Sequence, residues 1–252
     1  MVDGPREFAG RRIVVTGAGS GIGLATTRLL IERGAIVVGA ARSTDGLDRI
    51  ADAGAEAVRC DVTSALDRDR LLASAGAIDG LVVAHGETTG QPLDSVTVED
   101  WDRLFDSNIR SVFFLVQAAA PRLPDDGSIV LVASTAAKTG AIPEVTAYAA
   151  AKAGVLSLVR SFAHAHAARG MRVNAVSPGI IDTPMQQRFL EMNAPLRSLT
   201  SARFNADRLA ATPMRRAGSP NECAEVILFL LSTRASYVTG QGINVAGGFV
   251  TW

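Results

Sequence analysis

Thr16-Gly17-Ala18-Gly19-Ser20-Gly21-Ile22-Gly23 follows directly on the apolar run 12–16 and opens the amphipathic stretch 21–33. Glycines between a strand and a helix permit a tight turn and let the backbone approach a pyrophosphate. The free amides at the helix N-terminus then face the phosphate charge. Glycines alone make only a flexible turn; it is their place between strand and helix that points to a dinucleotide. Outward from this turn the pattern repeats, with strands read at 36–40, 56–59 and 80–84 and helices at 47–53 and 65–75. Parallel strands need a helical crossover, so this alternation implies a parallel sheet. The strands lack period-two patterning, as strands covered on both faces should. Helices at 98–105, 109–123, 146–169 and 222–232, with strands at 128–133, 172–177 and 242–245, complete the reading. The expected fold is α/β: a single domain over 1–252, a Rossmann-type doubly wound parallel sheet of about seven strands flanked by helices. Residues 185–212 break the alternation, mixing Phe189, Leu190, Met192, Leu196, Phe204 and Leu209 with polar residues. A long insertion beside a sheet's carboxyl edge reads as a substrate lid.

Lys plus Arg and Asp plus Glu both number 25, so the chain lacks the basic footprint of a nucleic-acid or anionic-membrane binder. Small neutral partners fit better. Cys60 and Cys223 stand far apart, with no CxxC pair and no histidine at ligand spacing. No zinc or other metal site and no disulfide is expected, and the pair reads as core thiols in a reducing cytoplasm. Neither a signal peptide nor a membrane span is expected, because the first residues carry Asp3, Arg6 and Glu7 and no apolar stretch approaches 18 residues.

Two local patterns carry chemistry. Where the second strand ends, about 20 residues past the turn, an NAD enzyme places an acid on the adenosine ribose. Here Ala41 occupies that place and Arg42 follows. A guanidinium fork matches a 2′-phosphate, so NADP(H) is expected rather than NAD(H); the other readings of Arg42 are a solvated side chain or one stacked on adenine. Tyr148 and Lys152 are four residues apart on a helix and so share a face. A free phenol titrates near pH 10. A nearby ammonium favours its ionised form, making it a candidate acid–base group for an alcohol proton.

Together these strings resemble the classical short-chain dehydrogenase/reductases: Thr-Gly-x-x-x-Gly-x-Gly, Tyr-x-x-x-Lys, and between them Asn108 and Ser134 in family order. The resemblance implies Asn108, Ser134, Tyr148 and Lys152 as catalytic residues, Asn108 holding a water that links the lysine to solvent and Ser134 positioning the substrate oxygen. Relatives separate that serine from the tyrosine by 13 residues; Ser134 lies 14 away and Thr135 lies 13 away. Ser134 is preferred because small residues follow it. Cofactor contacts are implied at Gly17, Gly19, Ser20, Gly21, Ile22, Gly23, Arg42, Asp61, Val62, Ala84, Gly86, Tyr148, Lys152, Pro178, Gly179, Ile181 and Thr183. Asp61 would meet the adenine amino group, though it reads equally as an Asx turn into Thr63. The Ile181 backbone and the Thr183 hydroxyl would hold the nicotinamide carboxamide. One segment departs from the pattern: relatives carry Asn-Asn-Ala-Gly after the fourth strand, where this chain has Val83-Ala84-His85-Gly86. That puts local rigidity in doubt, and His85 reads as structural.

The resemblance implies an oxidoreductase that interconverts a secondary alcohol and a ketone with NAD(P)(H), assembled as a homotetramer or homodimer. The alternative is a dinucleotide-sensing or scaffolding protein without turnover, a type that usually lacks the Tyr or the Lys present here. Epimerase relatives add a substrate domain, and dehalogenase relatives lose the glycine turn.

Overall fold

The computed structural model describes residues 6–140 and 142–252. Seven strands form one parallel sheet in the order β3-β2-β1-β4-β5-β6-β7. They are β1 (Arg12–Thr16), β2 (Ile36–Ala41), β3 (Glu56–Arg59), β4 (Gly80–Val83), β5 (Ser128–Val132), β6 (Arg172–Pro178) and β7 (Gly242–Val245). The helices are α1 (Gly21–Glu32), α2 (Thr44–Asp52), α3 (Ala65–Ala75), α4 (Val98–Phe105), α5 (Ser111–Ala119), the short α6 (Ala136–Thr139), α7 (Thr146–His166), α8 (Pro184–Asn193), α9 (Ser201–Ala210) and α10 (Pro220–Leu231).

Alternate strand residues feed two cores. Val14, Val38 and Leu81 pack with Leu72 of α3, Leu115 of α5 and Val155 of α7 on one face. Ile13, Val15 and Val82 pack with Leu30 of α1, Ile50 of α2 and Leu228 of α10 on the other. Burial on both faces is why the strands read as continuous apolar runs. Strand order reverses between β1 and its two neighbours β2 and β4, and an open α/β sheet binds its ligands outside the carboxyl ends of the strands at such a point.

Two segments differ from the sequence reading. The helices expected at 98–105 and 109–123 form one run, α4 into α5, through a π-helical turn at Asp106–Arg110 that carries Asn108. The irregular stretch expected at 185–212 contains two helices. Thr183 caps α8 by accepting from Gln186 N at 3.2 Å, with Pro184 next to it, and Thr200 caps α9 by accepting from Arg203 N at 3.2 Å. Both are ordinary start signals, concealed by a polar composition with little amphipathic stripe.

Candidate active site

A cleft of about 1680 Å³ runs across the carboxyl edge of the sheet, from the glycine turn to α8 and α9. That exceeds the ~300–1,000 Å³ usual for one small ligand and leaves space for a dinucleotide together with a substrate. At its centre the turn is packed tightly enough to require glycine. A Cβ on Gly17 would lie 2.7 Å from His85 N, and one on Gly19 would lie 2.6 Å from Gly46 Cα. Gly17 also takes φ +67°, a left-handed conformation. Ser20 is the N-cap of α1 but makes no side-chain cap bond, and the first turn of the helix holds no acid. Free amides and an uncommitted hydroxyl at a helix N-terminus are a donor set that fits a pyrophosphate. Ile22 lines the same cleft, and Gly23 packs on the carbonyl of Gly17.

At the adenosine end Ala41, Arg42, Asp61 and Val62 all line the cleft. The Arg42 guanidinium is 79% exposed and stands 4.0 Å from the Asp61 carboxylate, leaving it free to engage an anion. Asp61 Oδ1 accepts from Thr63 N at 3.0 Å and from Thr63 Oγ1 at 2.7 Å, so the Asx turn is formed. Burial by itself would raise the Asp61 pKa, but the Thr63 hydrogen bonds and Arg42 outweigh it and hold the carboxyl below its ordinary range. Sequence reasoning missed Arg49, which lines this end from α2 and donates from Nε to Gly19 O at 2.7 Å. No spacing signal marks it, because the contact exists only once α2 folds over the turn.

His85 occupies the break in the family pattern and replaces the lost ties with others. Its Nδ1 lies 2.8 Å from Thr16 Oγ1 and its Nε2 lies 2.8 Å from Ser111 Oγ. Ser111 donates its own proton to Ser107 O at 2.7 Å, so His85 Nε2–H donates to Ser111 and Nδ1 accepts from Thr16. A neutral ring thus joins the end of β1 to α5. Burial, with Lys152 and Arg68 nearby, pushes the His85 pKa down from 6.5 to about 3. Above the ordinary value neither folded nor unfolded chain holds this proton. Below it only the unfolded chain does, so stability falls as pH drops through this window. At about pH 5 the loss amounts to ~2 kcal/mol. Urea unfolding at about pH 7 and about pH 5 should show that His85→Asn removes this increment. An equal loss in both proteins would place the acid sensitivity elsewhere.

Around the next strand ends, the structure brings Ser134, Tyr148 and Lys152 to one wall of the cleft. Ser134 Oγ accepts from Ala136 N at 3.1 Å, and its hydroxyl is close enough to the Tyr148 phenol to favour the ionised form. Thr135, at the customary family spacing, is buried and spends its hydroxyl on Pro178 O at 3.1 Å. Of the two hydroxyls, that of Ser134 is the one beside the phenol. Lys152 is buried, with Nζ donating to Val132 O at 2.9 Å and standing 5.9 Å from the Tyr148 ring centroid. Burial brings the Lys152 pKa down to about 8. It also raises the Tyr148 pKa, and this outweighs the Ser134 hydrogen bond. The tyrosine is thus held protonated, which is not the lowering by the ammonium that spacing alone suggests.

Asn108 is fully buried and does not open onto the cleft. Its Oδ1 accepts from Glu87 N at 3.1 Å, and its Nδ2 donates to Glu87 O at 3.1 Å and Leu104 O at 3.0 Å. Its side chain ties the loop after β4 to the end of α4. Gly86 allows the fit, since a Cβ there would meet Asn108 Oδ1 at 2.8 Å and Lys152 Nζ at 3.2 Å. Ala84 lines the cleft beside it, and across from it lie Pro178, Gly179, Ile181 and Thr183. Thr183 Oγ1 caps α8 and its Cγ2 sits against Gly21, 3.2 Å from where a Cβ on that glycine would be.

A family model described as enoyl-(acyl carrier protein) reductase matches residues 17–250. A 3-oxoacyl-(acyl-carrier-protein) reductase of Thermotoga maritima is 39% identical, covering 97% of this chain and 99% of its own. A cis-4-hydroxycyclohexanecarboxylate dehydrogenase of Sinomonas cyclohexanicum is 40% identical, covering 96% and 97%. Among solved structures, levodione reductase superposes with a TM-score of 0.89 at 30% identity, covering 96% of this chain and 98% of its own. An actinorhodin polyketide ketoreductase with NADPH gives 0.89 at 31% identity, with the same coverage. With the glycine turn, the seven-stranded parallel sheet and the Ser-Tyr-Lys wall in place, the chain belongs to the classical short-chain dehydrogenase/reductases, a family of nicotinamide-dinucleotide oxidoreductases.

Proposed function

We propose that the chain is an NADP(H)-dependent oxidoreductase interconverting a secondary alcohol and a ketone, with Tyr148 as general acid and base. The observation that carries this reading is the convergence of Ser134, Tyr148 and Lys152 on one wall of a cleft whose other end has a phosphate-ready turn. NADPH, when bound, supplies the hydride for reduction, and NADP⁺ accepts it in the reverse direction. In reduction the neutral Tyr148 hydroxyl gives its proton to the carbonyl oxygen, and a phenol whose pKa is raised is in the protonated form this needs. Ser134 donates to the same oxygen and stabilises the charge developing on it. Lys152, buried and anchored on Val132 O, would hold the ribose and steady the phenol after proton loss. Asn108 keeps the loop after β4 in register with this lysine. Gly17 to Gly23 would take the pyrophosphate, Asp61 and Val62 the adenine, and Ile181 with Thr183 the carboxamide.

Preference for NADP(H) is supported by Ala41 in the place of an acid and by the exposed Arg42 fork beside it. Arg42→Ala should weaken NADPH by about 10- to 100-fold, the size of a lost charged hydrogen bond, while leaving NADH nearly unchanged. Fluorescence titration with each nucleotide measures both. Equal losses would mean that Arg42 touches adenosine without reading the phosphate.

Assembly through the α4–α5 and α7 face is part of this reading. Phe105, Ile109, Phe113, Phe114 and Leu158 border one apolar hollow there, and Phe114 is exposed. Cys60 and Cys223 are buried free thiols, which suits the cytoplasmic location expected from the sequence. Among the described residues no helix is long and apolar enough to cross a membrane.

A further inference from the structure

Helices α8 and α9 meet through Phe189 and Phe204, whose rings stack with centroids 6.0 Å apart. The Arg208 guanidinium lies on both, 4.4 Å from the Phe189 centroid and 5.7 Å from that of Phe204, and all three residues line the cleft. Its Nη1 is buried and has no hydrogen-bond partner among the described residues. The charged groups around it are committed or exposed. Arg197 pairs with Glu144 at 2.6 Å, Asp207 pairs with Arg203 at 3.1 Å, Glu191 accepts from Gln187 at 3.3 Å, and Arg188 faces solvent. Burial and the neighbouring Arg197 push the Arg208 pKa down to about 10, which leaves the group charged at neutral pH. Gln186 Nε2, also on a cleft-lining residue, is likewise buried without an acceptor.

Two donors on cleft-lining residues, one of them cationic, thus have nothing to receive them. A half-buried guanidinium whose inner nitrogen has neither counter-charge nor acceptor is costly, and such a group in a cleft calls for a ligand. What would satisfy the guanidinium is a planar group that only accepts and carries one negative charge. Phe189 and Phe204 share an apolar cluster with Tyr148, so the guanidinium and the phenol border one pocket. We infer that the substrate is a hydroxy or oxo acid, its alcohol or ketone carbon at Tyr148, its carboxylate on Arg208, and its apolar skeleton against Phe189 and Phe204. This rests on the oxidoreductase reading of the cleft and replaces the expectation of an uncharged substrate. The carboxylate takes no part in the chemistry; it is the handle that orients the molecule. The one guanidinium lying on the Phe189 and Phe204 rings with an unpartnered inner nitrogen matches a monoanion.

The test compares benzoate with benzamide, a neutral molecule of nearly the same shape, by titration calorimetry on the purified chain with saturating NADPH. Benzoate should bind about 10- to 100-fold more tightly than benzamide, the range of a charge-assisted contact. Arg208→Met should remove the difference by weakening the acid alone. Equal affinities in the native protein, or no benzoate binding, would overturn the inference, and neither result depends on the variant folding. A preference for the acid that survives in Arg208→Met would overturn it too. The oxidoreductase reading is judged separately by NADPH consumption. Turnover of neutral ketones without any preference for the acid leaves that reading standing and removes the carboxylate; an acid preference with no NADPH consumption on any ketone does the reverse.

Discussion

Tyr148→Phe should bind NADPH with near-native affinity and turn over carbonyl substrates about a hundred- to ten-thousand-fold more slowly, the range general acid catalysis supplies. The change removes one oxygen and its proton and keeps the ring that packs with Val145, Phe189 and Phe204. The fold should therefore survive. Steady-state rates with a reducible ketone, read beside a fluorescence titration of NADPH, separate loss of chemistry from loss of binding. Residual activity within about tenfold of native would remove Tyr148 as the proton donor, since a lost general acid costs at least a hundredfold.

Gly23→Ala should strike the other half of the site through sterics alone. A Cβ at Gly23 would lie 2.2 Å from Gly17 O and 2.7 Å from Gly17 C, both backbone atoms of the turn. Neither can rotate away as a side chain could, so the first turn of α1 and the glycine loop must separate. The expected cost is about 3 kcal/mol or more in stability, in the range of severe core strain, with NADPH affinity lost as the amides are displaced. Urea midpoints and the same titration measure the two effects. Native stability together with native binding would mean that the loop has slack the packing does not show.

Much of this architecture was legible because its signals are local. Strands covered on both faces announce themselves as apolar runs, and a glycine turn between a strand and a helix is read within eight residues. Tyr148 and Lys152 need only one helix to share a face. What stayed hidden depends on residues that meet across the fold. His85 finds its partners at Thr16 and Ser111, which no spacing connects. Counting leaves Ser134 and Thr135 ambiguous, and the observation that favours Ser134, the Thr135 hydrogen bond to Pro178 on β6, is visible only in the fold. Asn108 was read as a water holder, yet its side chain is committed to the Glu87 backbone through a π-helical turn. The stretch 185–212 was read as apolar from Phe189 and Phe204, while the arginine lying on Phe189 comes from the next helix.

Thr183 links these parts. Its hydroxyl ends the connection from β6 and starts α8, and its methyl group rests against Gly21 at the glycine turn. Arg208 in turn rests on Phe189 of that same helix. A nucleotide settling on the turn and on Thr183 would therefore fix where the lid begins before any substrate meets its inner face. In kinetic language the expected result is an ordered scheme, with the nucleotide first to arrive and last to leave, which product-inhibition patterns would check.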